Sequence, residues 1–172
     1  PALMAAPAPG EAILSGRDLR KAFGRGPERT LALDGVSLEV RAGALTALAG
    51  PNGAGKTTLI RLCAGLLPLD GGELRVLDVD GSRDPGTVQR RIAYMPQRFG
   101  LYEDLTVQEN LDLYADLHGV PAEERRRRYP QLMEMTQLGA FTGRLAGRLS
   151  GGMKQKLGLA CTLVRSPAFG CS

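Results

Sequence analysis

The residues Gly50-Pro51-Asn52-Gly53-Ala54-Gly55-Lys56-Thr57 follow the spacing GxxxxGK[ST], and Thr58 adds a second hydroxyl directly behind it. The chemistry open to such a stretch is the holding of a polyphosphate. Glycines without a Cβ let successive backbone N–H groups curl around phosphate oxygens, and the following helix adds its positive N-terminal end. Lys56 would reach the β- and γ-phosphates as a point charge. The Thr57 hydroxyl would ligate a Mg²⁺ bridging them, with Thr58 near the α-phosphate. Given the chain's own Gly, Lys and Ser/Thr content, a chance match is expected about once in a hundred such chains. The competing reading is a Gly-rich turn that caps a helix.

A second stretch, Leu149-Ser150-Gly151-Gly152-Met153-Lys154-Gln155, places a hydroxyl and two glycines at a helix start. The first N–H groups of that helix lack intrahelical partners, so it too can receive an anion. By itself, such a sequence is more often a plain helix cap.

The elements that must position these stretches are legible in outline. Ala44-Leu45-Thr46-Ala47-Leu48-Ala49 is apolar almost throughout, which predicts a strand buried on both faces in a parallel sheet. Leu59, Ile60, Leu62, Cys63, Leu66 and Leu67 form a helical stripe over Thr57 to Leu67, ended by Pro68. Upstream, Ile13-Leu14, Leu31 to Leu33 and Val36 to Val40 read as short strands, with turns at Asp34-Gly35 and Ala42-Gly43. Glu73 to Val76 reads as a further strand, and Arg91 to Met95 as a buried one ended by Pro96. Thr106 and Glu109 make a capping box for a helix that Gly119 closes. Pro121 opens another helix, which Pro130 is expected to break into two pieces. A last helix runs from about Gly152 to Arg165, with Ser150 as its cap and Pro167 as its stop.

Together, the two motifs in this order resemble those of ABC ATPases, and the resemblance spans about Ile13 to Pro167. It implies an α/β fold: a P-loop NTPase core with an N-terminal antiparallel β subdomain and an inserted, here incomplete, α-helical subdomain. The matching boundaries are a tail over 1–10, β subdomain and core over 11–97, helical subdomain over 98–148, and signature with its helix over 149–172. The resemblance implies ATP and Mg²⁺ as ligands. Gln97, after Tyr94-Met95-Pro96, matches the family's Q-loop, whose amide ligates Mg²⁺ or holds the attacking water. Phe23 falls where the family places an aromatic that stacks on adenine, with core packing as the alternative. Family ATPase domains pair head to tail, so Ser150, Gly151 and Gly152 would close over the ATP held at Lys56 of a second domain. The helical subdomain would engage an integral membrane permease, at the cytoplasmic face of the cell membrane. The stretch from Phe99 to Leu111 looks like the ATPases of ABC-2-type exporters. Soluble ABC ATPases of translation or DNA repair are the alternative, though no long coiled-coil insertion separates Gln97 from the signature. A non-catalytic nucleotide-binding module is the third possibility.

In this family an apolar strand ending in Asp and Glu follows the signature helix, whereas this sequence reads Arg165 to Ser172 there. The expectation is a chain that binds ATP with Mg²⁺, turns it over slowly and is poorly soluble alone. His118, expected on the surface at a helix end, does not substitute. The remaining composition is unremarkable for a folded domain: 43% hydrophobic, 23% charged, and no apolar run long enough for a membrane span. The net charge of +4 leans on Arg125 to Arg128, expected as a solvated helix face outside the helical subdomain, so no direct nucleic-acid partner is expected. Cys63, Cys161 and Cys171 lack metal-site spacing and read as buried thiols.

Overall fold

The computed structural model describes residues 8–97 and 100–165. They fall into two compact units, one ending at Ile92 and one beginning at Ala93. What the sequence leads one to expect of residues 1–7, 98–99 and 166–172, including Cys171 and the Pro167 stop, lies outside the described residues.

The first unit is a four-stranded antiparallel sheet in the order β2-β1-β3-β4. Strands β1 (Ala12–Phe23) and β2 (Thr30–Arg41) form a long hairpin, in register from Ala12↔Arg41 to Phe23↔Thr30. Strand β3 (Gly71–Val76) pairs with the other edge of β1, and the short β4 (Val79–Asp80) pairs with β3. Gly72 has to be a glycine, because a Cβ there would stand 2.3 Å from the Asp18 carbonyl oxygen. Helix α1 (Lys56–Cys63) lays Leu59 and Leu62, three residues apart and so on one face, against Leu19, Leu33, Leu74 and Val76 of the sheet. Val88 of α2 (Pro85–Arg91) joins this core. Of the expected tail, Gly10 donates its N–H to Ala42 O at 3.1 Å, so the hairpin end is tied down.

Two expected strands do not form. Residues 44–50 have no regular structure, and Leu45 is fully exposed. A strand at the centre of a parallel sheet needs a hydrogen-bonding neighbour on each edge. Among the described residues none lies beside this run, so its apolar pattern finds no ladder. Arg91 ends helix α2 instead of starting a strand, and residues 93–96 are irregular. Asp84 explains that outcome: its carboxylate accepts from the Thr87 N–H at 3.0 Å and caps a helix with Pro85 in its first turn.

The second unit packs three helices around one core. Helix α3 (Val107–Leu117) starts with the full capping box: Glu109 N–H donates to Thr106 Oγ1 at 3.2 Å, and Thr106 N–H to Glu109 Oε2 at 2.7 Å. It ends at a left-handed Gly119, where Val120 N–H reaches back to Ala115 O at 2.9 Å. His118 is exposed at that end, and partial burial near Arg165 lowers its pKa. Helix α5 (Gly151–Leu163) buries Leu157, Ala160 and Cys161 against Val107, Leu111 and Ala115.

Helix α4 (Ala122–Thr136) is one piece, against the expected two. Pro130 is exposed, and so is Arg126, whose carbonyl loses its intrahelical donor and is left to water. Burial of Arg128 before the proline and of Leu132, Met133 and Thr136 after it holds both halves on one core. The arginine run is likewise not a uniformly solvated face. Arg126 and Arg127 are exposed, but Arg128 is buried, donating to Val164 O at 2.8 Å and pairing with Glu124. Arg125 pairs with Asp116 at 2.6 Å and donates to Val120 O. The carbonyls at the end of α5 and after α3 need donors, and Arg128 and Arg125, three residues apart on one side of α4, supply them. Cys161 is buried and its thiol is pushed up to about 12, while half-buried Cys63 rises to about 11, both through desolvation.

Asn110, with 0% exposure, is the polar pin of this unit. Its Oδ1 accepts from Tyr102 N–H at 2.9 Å, and its Nδ2 donates to the carbonyls of Tyr102, Leu105 and Thr106 at 2.9, 3.2 and 2.9 Å. The segment entering α3 is therefore fixed by one side chain. Asn110→Ala, which strands several buried backbone groups, should destabilise the unit by about 2–4 kcal/mol in urea unfolding; a change below ~0.5 kcal/mol would contradict this account. A second expectation concerns acid. Hydrogen bonds hold Asp70, Asp84 and Glu109 below their ordinary values: to Lys21 and Ala22, to Thr87, and to Thr106. Folded values lower than unfolded ones mean that this stabilisation is complete above the ordinary carboxylate range of about 4 and is lost as pH falls through the depressed values. Urea unfolding across pH should show a plateau near neutrality and a decline below about pH 4.

Candidate functional site

The phosphate-loop residues sit on the exposed surface of the first unit, between residue 49 and helix α1. Gly55 is the N-cap of α1 in the left-handed conformation (φ 80°), and a Cβ on it would stand 2.4 Å from Ala32 O of β2. No other residue type fits that contact without moving the backbone. Gly53 is also left-handed, at φ 83°, and turns the chain in front of the helix. The first helical N–H to find a backbone acceptor is that of Leu59, to Gly55 O at 2.9 Å. The N–H groups of Lys56, Thr57 and Thr58 in the turn before it point out of the helix start, as initial helical amides do. Gly50, Asn52 and Ala54 complete the loop, which is closed internally by Ala54 N–H to Pro51 O at 3.3 Å.

Lys56 folds back across the loop. Its Nζ donates to Gly50 O and Pro51 O, both at 2.6 Å. The ammonium is thus held over the turn by two carbonyls, which phosphate oxygens could replace without moving the backbone. Thr57 is exposed at the helix start with a hydroxyl open to a cation, and Thr58 is half-buried beside it. This donor set suits Mg²⁺, which takes few protein ligands and completes its shell with phosphate and water oxygens. A dedicated cluster of three or more His, Cys, Asp or Glu side chains is not found among the described residues.

Phe23, the last residue of β1, is 43% exposed, so its ring is not core packing. It pairs with Thr30, two residues along β2 from the Ala32 carbonyl that Gly55 abuts, so ring and loop share one end of the hairpin. Sequence reasoning missed Lys21, buried at 7% exposure, whose ammonium lies 5.7 Å from the Phe23 ring centroid. A charged residue alternating with Leu19 and Phe23 in one strand was the available signal.

The other expected residues lie in the second unit. Gln97 is exposed in a bend. Ser150 caps α5, accepting from Met153 N–H at 3.3 Å. Gly151 and Gly152 form the first turn of that helix, and a Cβ on either would meet nothing within 4 Å. The segment behind Gln97 is tied to the signature helix by Lys154 Nζ and Glu103 Oε1, 2.6 Å apart. No helix among the described residues is long and apolar enough to cross a membrane.

Comparison with known proteins gives a consistent picture. The family described as ABC transporter matches residues 33–171. The probable multidrug ABC transporter ATP-binding protein YbhF of Escherichia coli (strain K12) is 59% identical over 128 residues, covering 74% of this chain and 22% of that protein. The Nod factor export ATP-binding protein I of Ralstonia nicotianae is 39% identical over 158 residues, 90% of this chain and 47% of that protein. The daunorubicin/doxorubicin resistance ATP-binding protein DrrA of Streptomyces peucetius is 41% identical over 138 residues, 80% of this chain and 42% of that protein. This chain therefore spans between about a fifth and a half of the curated relatives it matches. Among solved structures, an ATP-binding subunit of an ABC transporter superposes with a TM-score of 0.72 at 33% identity, covering 89% of this chain and 62% of that one. The dimeric ATP-binding cassette MJ0796, in a post-hydrolysis state bound to ADP and Pi, superposes with a TM-score of 0.76 at 26% identity, covering 88% and 69%. The glycine-built loop, the capped signature helix and these matches lead to one conclusion: the chain belongs to the ATP-binding proteins of the ABC transporter family.

Proposed function

We propose that this chain is the nucleotide-gripping part of an ABC exporter's ATPase, holding Mg-ATP on Gly50 to Thr58 and acting through a membrane-embedded partner. The observation that carries the reading is Gly55, whose contact with Ala32 O fixes the start of α1 so that its free amides and the Lys56 ammonium converge on one turn. Lys56 exchanges its two carbonyl partners for β- and γ-phosphate oxygens, and Thr57 supplies the hydroxyl for Mg²⁺. Bound Mg²⁺ neutralises charge on the phosphoryl group being transferred. Phe23 offers its exposed ring to adenine. Gln97 orients the attacking water or the metal.

The signature glycines support a head-to-tail pairing. Glycine in a helical turn sacrifices up to about 1 kcal/mol against alanine, and nothing among the described residues needs the space at Gly151 or Gly152. A requirement from outside the chain accounts for both: the triphosphate held by a second copy or a related domain, received on the N–H groups behind Ser150. The dimeric form of the MJ0796 cassette is in keeping with this. Export is supported by the printed roles of the multidrug, Nod factor and daunorubicin relatives, although import proteins for sn-glycerol-3-phosphate and methionine also match, at 37% and 36% identity. The working place is the cytoplasmic face of the membrane, beneath a permease.

Two outcomes test these roles. Lys56→Ala should weaken binding at least tenfold in calorimetric titration; unchanged affinity would refute the loop's role. Gly152→Ala should leave stability unchanged or raise it by up to ~1 kcal/mol, while nucleotide-dependent self-association in sedimentation is lost. An alanine that destabilises the chain, or leaves association intact, would count against the pairing.

A further inference from the structure

Leu19, Lys21 and Phe23 alternate along β1, with exposures of 0%, 7% and 43%. A buried ammonium needs a partner, and Lys21 Nζ finds Asp70 Oδ1 at 2.7 Å. The same carboxylate accepts from Ala22 N–H at 2.8 Å through its second oxygen, and Asp70 N–H donates to Arg20 O at 3.1 Å. Asp70, just before β3, thus grips three consecutive residues of β1 immediately ahead of Phe23. The clamped ammonium lies 5.7 Å from the Phe23 ring centroid, within the range of cation–π attraction.

We infer that Lys21, locked by Asp70, is a positioning residue that fixes the Phe23 ring as a platform for the purine of the nucleotide. The inference rests on Phe23 as the base contact. A lysine buried with a single carboxylate is rarely more stable than an apolar residue of similar length, so packing alone gives no reason for it here. A cation held beside the ring limits the ring's freedom and draws on its π-electrons, which favours contact with an electron-rich base. The phosphate loop is untouched by this device, so its effect should appear only with ligands that carry a base.

The experiment titrates the 172-residue chain with Mg-ATP and, separately, with inorganic tripolyphosphate. Lys21→Met, Asp70→Asn and Lys21→Arg are compared, each also in a Phe23→Ala background, with thermal unfolding as the control for folding. Lys21→Met and Asp70→Asn should weaken ATP binding by about 3- to 10-fold and leave tripolyphosphate affinity within about twofold. Lys21→Arg should recover most of the loss, and Phe23→Ala should erase the differences between variants. Equal losses for both ligands, no loss for ATP, or a loss that persists without the ring would overturn the inference. Should Lys21→Met fail to fold, Asp70→Asn and Lys21→Arg carry the same comparison. A wild-type chain that binds tripolyphosphate as tightly as ATP removes Phe23 as base contact, and this inference with it, while leaving the loop's role intact. A wild-type chain that binds neither removes both.

Discussion

The contact between Gly55 and the Ala32 carbonyl decides where the first turn of α1 lies, and with it where every phosphate-directed group of the first unit points. A Cβ at Gly55 would be 2.4 Å from that oxygen and 2.9 Å from Leu33 Cδ2. The left-handed cap therefore lets the helix start directly on the β1–β2 hairpin, with Leu59 and Leu62 anchoring it to the same core as Leu33. The loop's glycines serve two separate ends: Gly55 is demanded by close packing, whereas Gly53 supplies a turn over open space. The Gly50 to Thr58 loop is thus placed by a hairpin outside its own stretch of sequence.

The two glycine-flanked helix starts are built differently. At α1 the cap is a glycine and the cation comes from Lys56, folded back over the loop. At α5 the cap is the Ser150 hydroxyl, and a Cβ on either following glycine would meet none of the described residues within 4 Å. The first start carries a lysine ammonium folded over its turn, whereas the second offers helix dipole and amides. Such a division suits a nucleotide held by one domain and covered by another.

Local signals were read correctly where one or two residues decide the outcome. The Thr106–Glu109 box, the left-handed Gly119 and the Ser150 cap each act within a few residues, and each stands where the pattern put it. Expectations failed where the decision is non-local. Residues 44–49 carry the composition of a buried strand, but a strand forms only beside another, and the described residues provide none. Pro130 was expected to break α4, yet burial on both sides of it outweighs one lost hydrogen bond. Arg128 looked like surface charge because sequence does not show that the end of α5 brings a carbonyl to it. The left-handed Gly53 and Gly55 fall within one spaced motif, whereas the Lys21–Asp70 clamp joins positions 49 apart, and the alternation of Lys21 with Leu19 and Phe23 gives no sign of its partner.

The central claim is that backbone amides at the start of α1 receive a triphosphate. Backbone amide NMR of the isotopically labelled chain during titration with Mg-ATP tests it most directly, residue by residue. Large shifts confined to Gly53, Gly55, Lys56, Thr57 and Thr58, with smaller ones at Phe23, are the predicted result. Saturating nucleotide that leaves those amides unmoved, or that shifts a different surface instead, would contradict it.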